Sequence, residues 1–85
     1  MTMFTKDGCH LCEELRDQLQ VMQQELQFTI VERDIERSLE EFERFRALVP
    51  VLDIPGIGMI YPPHDACALR HAIATAVDGD RASHA

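Results

Sequence analysis

The sequence predicts an α/β sandwich with the element order β-α-β-α-β-β-α around a four-stranded mixed sheet. Three observations carry that prediction. A long apolar stripe of helical period starts directly after a glycine turn. Short segments rich in β-formers bracket it on both sides. A Pro-Gly pair then sits between two further apolar segments, as in a hairpin.

Met3 and Phe4 begin a short apolar segment, and residues 1–5 are read as a first strand ended by the turn signal Asp7-Gly8. From Cys9 the pattern is helical: Leu11, Leu15, Leu19, Met22 and Leu26 recur at steps of four, four, three and four. Gly8 allows the chain to turn tightly into the helix start. Residues 28–33, Phe28-Thr29-Ile30-Val31-Glu32-Arg33, are a second strand by their β-branched and aromatic content. The first βαβ unit is expected to be parallel with a right-handed crossover.

Ser38 and Glu41 stand at capping-box spacing, which opens a second helix with the stripe Leu39, Phe42 and Phe45. Glu40 and Arg44 form an i,i+4 pair on its wet side. Val49-Pro50 ends it, because a residue before proline disfavours the α region. Val51-Leu52-Asp53-Ile54 is a third strand, Pro55-Gly56 fits the centre of a type II turn, and Met59-Ile60-Tyr61 returns as a fourth. Pro62-Pro63 stops the hairpin, and Asp65 caps a last helix with the stripe Leu69, Ile73, Ala76 and Val77. One domain is expected over residues 1–77, with residues 78–85 as a flexible C-terminal tail.

Composition narrows the functions available. The 85 residues carry 15 acids against 8 bases, a net charge of −7. Such a surface repels phosphate backbones and anionic membrane surfaces, so neither nucleic acid nor membrane is an expected partner. The stretch from Glu32 to Arg46 mixes six acids with four bases, which suits a solvated helix and its approach. No apolar run approaches a bilayer span, and the first six residues lack the apolar core of a signal peptide. The expected compartment is cytoplasmic, where thiols are kept reduced, and the chain is expected to act as a monomer. Three cysteines cannot all pair within one chain, which favours one reactive pair plus a leftover, Cys67, over a structural disulfide framework.

Cys9-His10-Leu11-Cys12 is a C-x-x-C placed where a strand passes through a glycine turn into a helix. The spacing alone also serves zinc sites. At a helix N-terminus, backbone N–H groups and the positive dipole end stabilise a thiolate, and such positions can lower a cysteine pKa from about 8.5 to roughly 3.5–7.5. The thiolate is the attacking species in disulfide exchange. Cys9 occupies the exposed cap position and reads as the nucleophile. Cys12, one turn further on the same side, reads as the resolving thiol. Lys6 and a protonated His10 add positive potential there, while Glu13 and Glu14 oppose it. His64, Cys67 and His71 are spaced so that they can share a helix face, but scattered surface residues explain them more simply than metal ligation, and no metal ligands are assigned.

The run Phe4-Thr5-Lys6-Asp7-Gly8-Cys9-His10-Leu11-Cys12-Glu13-Glu14 resembles the opening of bacterial glutaredoxin-like proteins, and Val49-Pro50-Val51-Leu52 is similar to that family's V-P-V-L segment. The resemblance covers about residues 2–77. It implies a thioredoxin-like (glutaredoxin-type) fold and a thiol–disulfide oxidoreductase with Cys9 and Cys12 as catalytic residues. It also implies a cis Pro50 beside Cys9, with the Val49 backbone N–H and C=O turned outward to an extended substrate. His10 and Leu11, between the cysteines, and Val49 and Pro50 are then the substrate-binding residues. The partner implied is a disulfide-containing protein or a low-molecular-weight thiol. No cofactor is required, and glutathione is one candidate reductant. Two departures bear on that candidate. His10-Leu11 stands where well-studied glutaredoxins carry Pro-Tyr, and Pro62-Pro63-His64 stands near their Gly-Gly pair, which helps hold a glutathione carboxylate. The rival readings are a binding module that holds a metal or iron–sulfur cluster, within one chain or across a dimer, and a non-catalytic adaptor.

Overall fold

The computed structural model describes the backbone of residues 1–83 and the side chains of residues 1–79; residues 84 and 85 lie outside the described residues. The order is β1 (Thr2–Thr5), α1 (His10–Gln23), β2 (Val31–Asp34), a 3-10 turn (Ile35–Arg37), α2 (Leu39–Phe45), β3 (Val51–Ile54), β4 (Gly58–Ile60) and α3 (Ala66–Ser83). The four strands form one mixed sheet in the order β2-β1-β3-β4. β1 runs parallel to β2, with Met3 opposite Glu32, and antiparallel to β3, with Met3 opposite Leu52. β3 and β4 are the expected hairpin. Its turn has Gly56 at φ +84° and an Ile57 N–H donating to the Ile54 carbonyl at 3.0 Å, the geometry a type II turn requires. Among the described residues no helix is long and apolar enough to cross a membrane.

Alternation along the strands sorts the core into two halves. On one face Met3, Leu52 and Ile54 pack with Leu15, Leu19 and Met22 of α1 and Leu69 and Ile73 of α3. On the other, Phe4 and Val51 pack with Ile35, with Phe45 of α2, and with Val49 and Cys12. A fully buried Leu, Ile or Phe contributes roughly 1.5–3 kcal/mol, so these clusters are what hold a domain this small together. The neighbouring residues Glu32 and Arg33 on β2 mark the same division. Glu32 pairs with Arg16 of α1, and Arg33 with Glu41 of α2.

Several local expectations shift. β2 begins at Val31 rather than at Phe28, which packs against the α1–α3 core from outside the strand. Ser38 caps α2 by accepting from the Glu41 N–H at 3.4 Å, but the Glu41 carboxylate turns to Arg33 instead of completing the box. Leu39 is 74% exposed, because the first residue of α2 lies beyond the edge of the core. Arg44 does not reach for Glu40. Its guanidinium lies 4.9 Å over the Phe45 ring and contacts the Met59 sulfur. Asp65 caps α3 as expected, accepting from the Ala68 N–H at 3.2 Å. That helix runs through Ser83, six residues past Val77, so residues 78–83 of the expected tail are helical. Gly79 is not at positive φ, and a glycine outside the left-handed region weakens a helix without ending it.

Candidate redox site at the start of helix α1

β1 ends at Thr5, and Lys6-Asp7-Gly8 bends the chain into α1. Gly8 sits at φ +72°, a conformation an L side chain resists. Two contacts anchor the bend. The Asp7 N–H donates to the Glu36 carboxylate at 3.3 Å, and the Lys6 ammonium donates to the Arg46 carbonyl at 3.4 Å. Glu36 was not singled out in the sequence, since only the fold brings the 3-10 turn beside residue 7. Lys6 is engaged with Arg46 rather than directed at the cysteines.

Cys9 is the N-cap of α1, with extended backbone (φ −89°, ψ 106°). Its sulfur accepts from the Cys12 N–H at 3.1 Å. A helix start has unsatisfied N–H groups, and here one of them is spent on the cap cysteine's sulfur. The two sulfurs are bonded, with the Cα atoms 5.2 Å apart, so the structure describes the oxidised pair. Burial separates the partners. Cys12 is 2% exposed within the α2-side cluster, whereas Cys9 is half-buried against its edge. Cys67 is free and exposed, near the start of α3 and apart from the pair.

The residues between the cysteines point outward. His10 is largely exposed, 3.8 Å from Glu13 and 3.3 Å from Glu14, contacts that become ion pairs when its ring is protonated. Leu11 is 52% exposed, not part of the buried stripe; Cys12 takes the inward place at that end of the helix.

The Val49-Pro50 peptide is cis, as the family resemblance implied, and Pro50 is fully buried. Val49 belongs to the same cluster as Cys12, against which Cys9 packs. One expectation is corrected. The Val49 N–H does not face outward free, because it donates to the Phe45 carbonyl at 3.0 Å in the last turn leaving α2. Among the described residues the Val49 carbonyl accepts no backbone hydrogen bond.

Pro62-Pro63-His64 comes to the same end of the molecule. Pro62-Pro63 is a second cis bond, which the sequence reading did not anticipate. With Leu11, Glu14, Leu15 and Gln18 these residues line a cleft of about 440 Å³. Burial pushes the His64 imidazole below its ordinary pKa, against a smaller opposing effect of its contact with the Ile60 carbonyl at 3.4 Å. A larger open groove of about 1150 Å³ runs between Phe28, Pro55, Ile57 and Ala76, and among the described residues no cysteine, histidine or charged side chain lines it. Among the described residues no three Cys, His, Asp or Glu side chains are placed to share a metal ion.

The family model described as Glutaredoxin-like domain (DUF836) matches residues 1–80. A solved structure described as X-ray structure of Northeast Structural Genomics target protein XcR50 from X. campestris superposes with a TM-score of 0.73 at 25% identity, covering 87% of this chain and 95% of that one. No curated protein matches the chain.

Proposed function

The chain belongs to the glutaredoxin-like domain family, with a thioredoxin-like fold and a paired Cys9 and Cys12, and from that premise we propose that it is a thiol–disulfide oxidoreductase. The observation that supports this reading best is the asymmetry of the pair. Cys9 caps the helix with its sulfur on a backbone N–H and is partly open, while Cys12 is enclosed.

The reduced Cys9 thiolate attacks one sulfur of a substrate disulfide. A bond forms between Cys9 and that sulfur, the substrate S–S bond breaks, and the other substrate sulfur leaves as a thiolate that takes a proton from water. The Cys12 thiol loses its proton to water and attacks the Cys9 sulfur. The Cys9–Cys12 bond forms and the second substrate thiolate leaves. Two electrons pass from the protein dithiol to the substrate, and two equivalents of an external thiol reverse the exchange to restore the dithiol. His10 and Leu11 flank the reacting sulfur, and the Val49 carbonyl offers an acceptor to an extended substrate, with the buried Pro50 fixing the backbone behind it. The N–H of Cys12 favours negative charge on Cys9 during attack and again when Cys9 is the leaving group.

Alkylation order tests the roles. Reduced protein treated briefly with iodoacetamide near pH 6 and mapped by mass spectrometry is expected to carry label first on Cys9, ahead of the buried Cys12 and ahead of Cys67, which is exposed but not a helix cap. First labelling at Cys12 or Cys67 overturns the assignment.

Glutathione is the weaker of the candidate reductants. Pro62 has no N–H, Pro63 has none either, and so the backbone donors that a Gly-Gly pair would present are missing at this place. Turnover in a glutathione-coupled disulfide assay is expected to be well below the rate supported by an uncharged dithiol at equal thiol concentration. Equal rates would remove the functional meaning given to Pro62-Pro63-His64.

A further inference from the structure

The cleft between α1 and Pro62–His64 runs along the first turns of α1: Leu11, which stands between the two cysteines in the chain, forms part of its wall, while neither cysteine side chain lines it. Its chemistry is uneven. Leu11, Leu15, Pro62 and Pro63 supply apolar surface. Glu14 supplies a carboxylate, and among the described residues no lysine or arginine contributes to the lining. The Oε1 atom of Gln18 is buried without a hydrogen-bond partner, an acceptor that gains a bond if its amide turns toward a donor in the cleft. Burial of His64 disfavours its cationic form, which weakens it as a counter-charge for an anion.

We infer that this cleft is a subsite for a residue flanking the substrate cysteine, and that it selects a side chain with an apolar stem and a cationic end, that of lysine or arginine. The stem lies along Leu11, Leu15 and the two prolines while the cation reaches Glu14, the arrangement that long basic side chains adopt on mixed surfaces. The net charge of −7 adds a long-range pull in the same direction and repels acidic substrates. His10, 3.3 Å from Glu14, is the one neighbouring side chain that contacts the same carboxylate among the described residues. The inference deepens the oxidoreductase reading and rests on it.

The test uses the whole reduced protein and three symmetric peptide disulfides, acetylated and amidated, that differ only in whether Lys, Gln or Glu follows the cysteine. Single-turnover rate constants at pH 8 and low salt are each divided by the value for dithiothreitol on the same peptide, which removes intrinsic differences in disulfide reactivity. The Lys peptide is expected to exceed the Glu peptide by roughly fivefold, the scale of one exposed ion pair gained and one repulsion lost. Glu14→Gln is expected to reduce that ratio to under about twofold, while Glu40→Gln, an exposed acid outside the cleft, leaves it unchanged. Equal normalised rates overturn the subsite, as does a ratio that survives Glu14→Gln or falls equally with Glu40→Gln. If the wild type fails to reduce even the Gln peptide, the oxidoreductase reading itself falls, which is a different result from uniform reduction of all three.

Discussion

Replacing Cys9 by serine is expected to lower disulfide reduction to the uncatalysed rate, a loss of about a hundredfold or more, as for removal of any covalent nucleophile. Cys12→Ser is expected to behave differently. The first exchange proceeds at Cys9, but no resolving thiol follows, and the protein accumulates as a mixed disulfide visible by intact mass. The two outcomes follow from the unequal surroundings of the sulfurs. Cys9 is reachable at the helix cap, and Cys12 is enclosed with Phe4, Ile35, Phe45, Val49 and Val51. Steady-state reduction of a peptide disulfide, with mass spectrometry of each variant, separates them. Mixed disulfide on Cys12 in the Cys9→Ser protein, at the wild-type rate, would reverse the roles.

Phe45→Ala is expected to cost roughly 3–5 kcal/mol of stability. At roughly 0.05–0.15 kcal/mol per residue, the 85 residues correspond to a total of only about 4–13 kcal/mol. A single cavity therefore removes a large share of it. Phe45 is 1% exposed, stacks on Phe4 with ring centroids 4.6 Å apart, and accepts the Val49 N–H through its carbonyl. The backbone bond survives the substitution while the ring contacts do not. Urea unfolding of the variant should show a sharply lower midpoint, and Phe45→Leu should recover a good part of the loss. A Phe45→Ala midpoint within error of the wild type would mean that the α2-side cluster contributes little to the fold.

The parts of this fold that were legible in the sequence are those with local causes. The Gly8 bend, the Pro55-Gly56 turn, the Asp65 cap and the element order each follow from residues adjacent in the chain. The cis Val49-Pro50 bond was reached through the resemblance of a short segment, since a lone proline is as good a helix stop as a cis turn. What escaped depended on tertiary placement. Leu11 and Leu39 sit on apolar stripes of correct period, yet each lies in the first turn of its helix and is exposed, and at the start of α1 Cys12 takes the inward place instead. The Glu36 anchor and the cleft joining Gln18 to His64 are juxtapositions of distant segments, which periodicity does not encode. The extension of α3 through Gly79 reflects a breaker weaker than the helix around it.

The two ion pairs on β2 also bear on how copies of this chain meet at high concentration. β2 is an outer strand of the sheet, bonded to β1 alone, and Val31 there is exposed. An open strand of this kind is a template on which another chain can extend the sheet and polymerise. Glu32 and Arg33 place opposite charges on its two faces, each already held by a helix of its own molecule. A second chain aligning along β2 would meet charges on both faces at once, each already committed to a partner within its own molecule. The strand thus carries its own protection against sheet-to-sheet aggregation, built from the same side chains that tie it to α1 and α2.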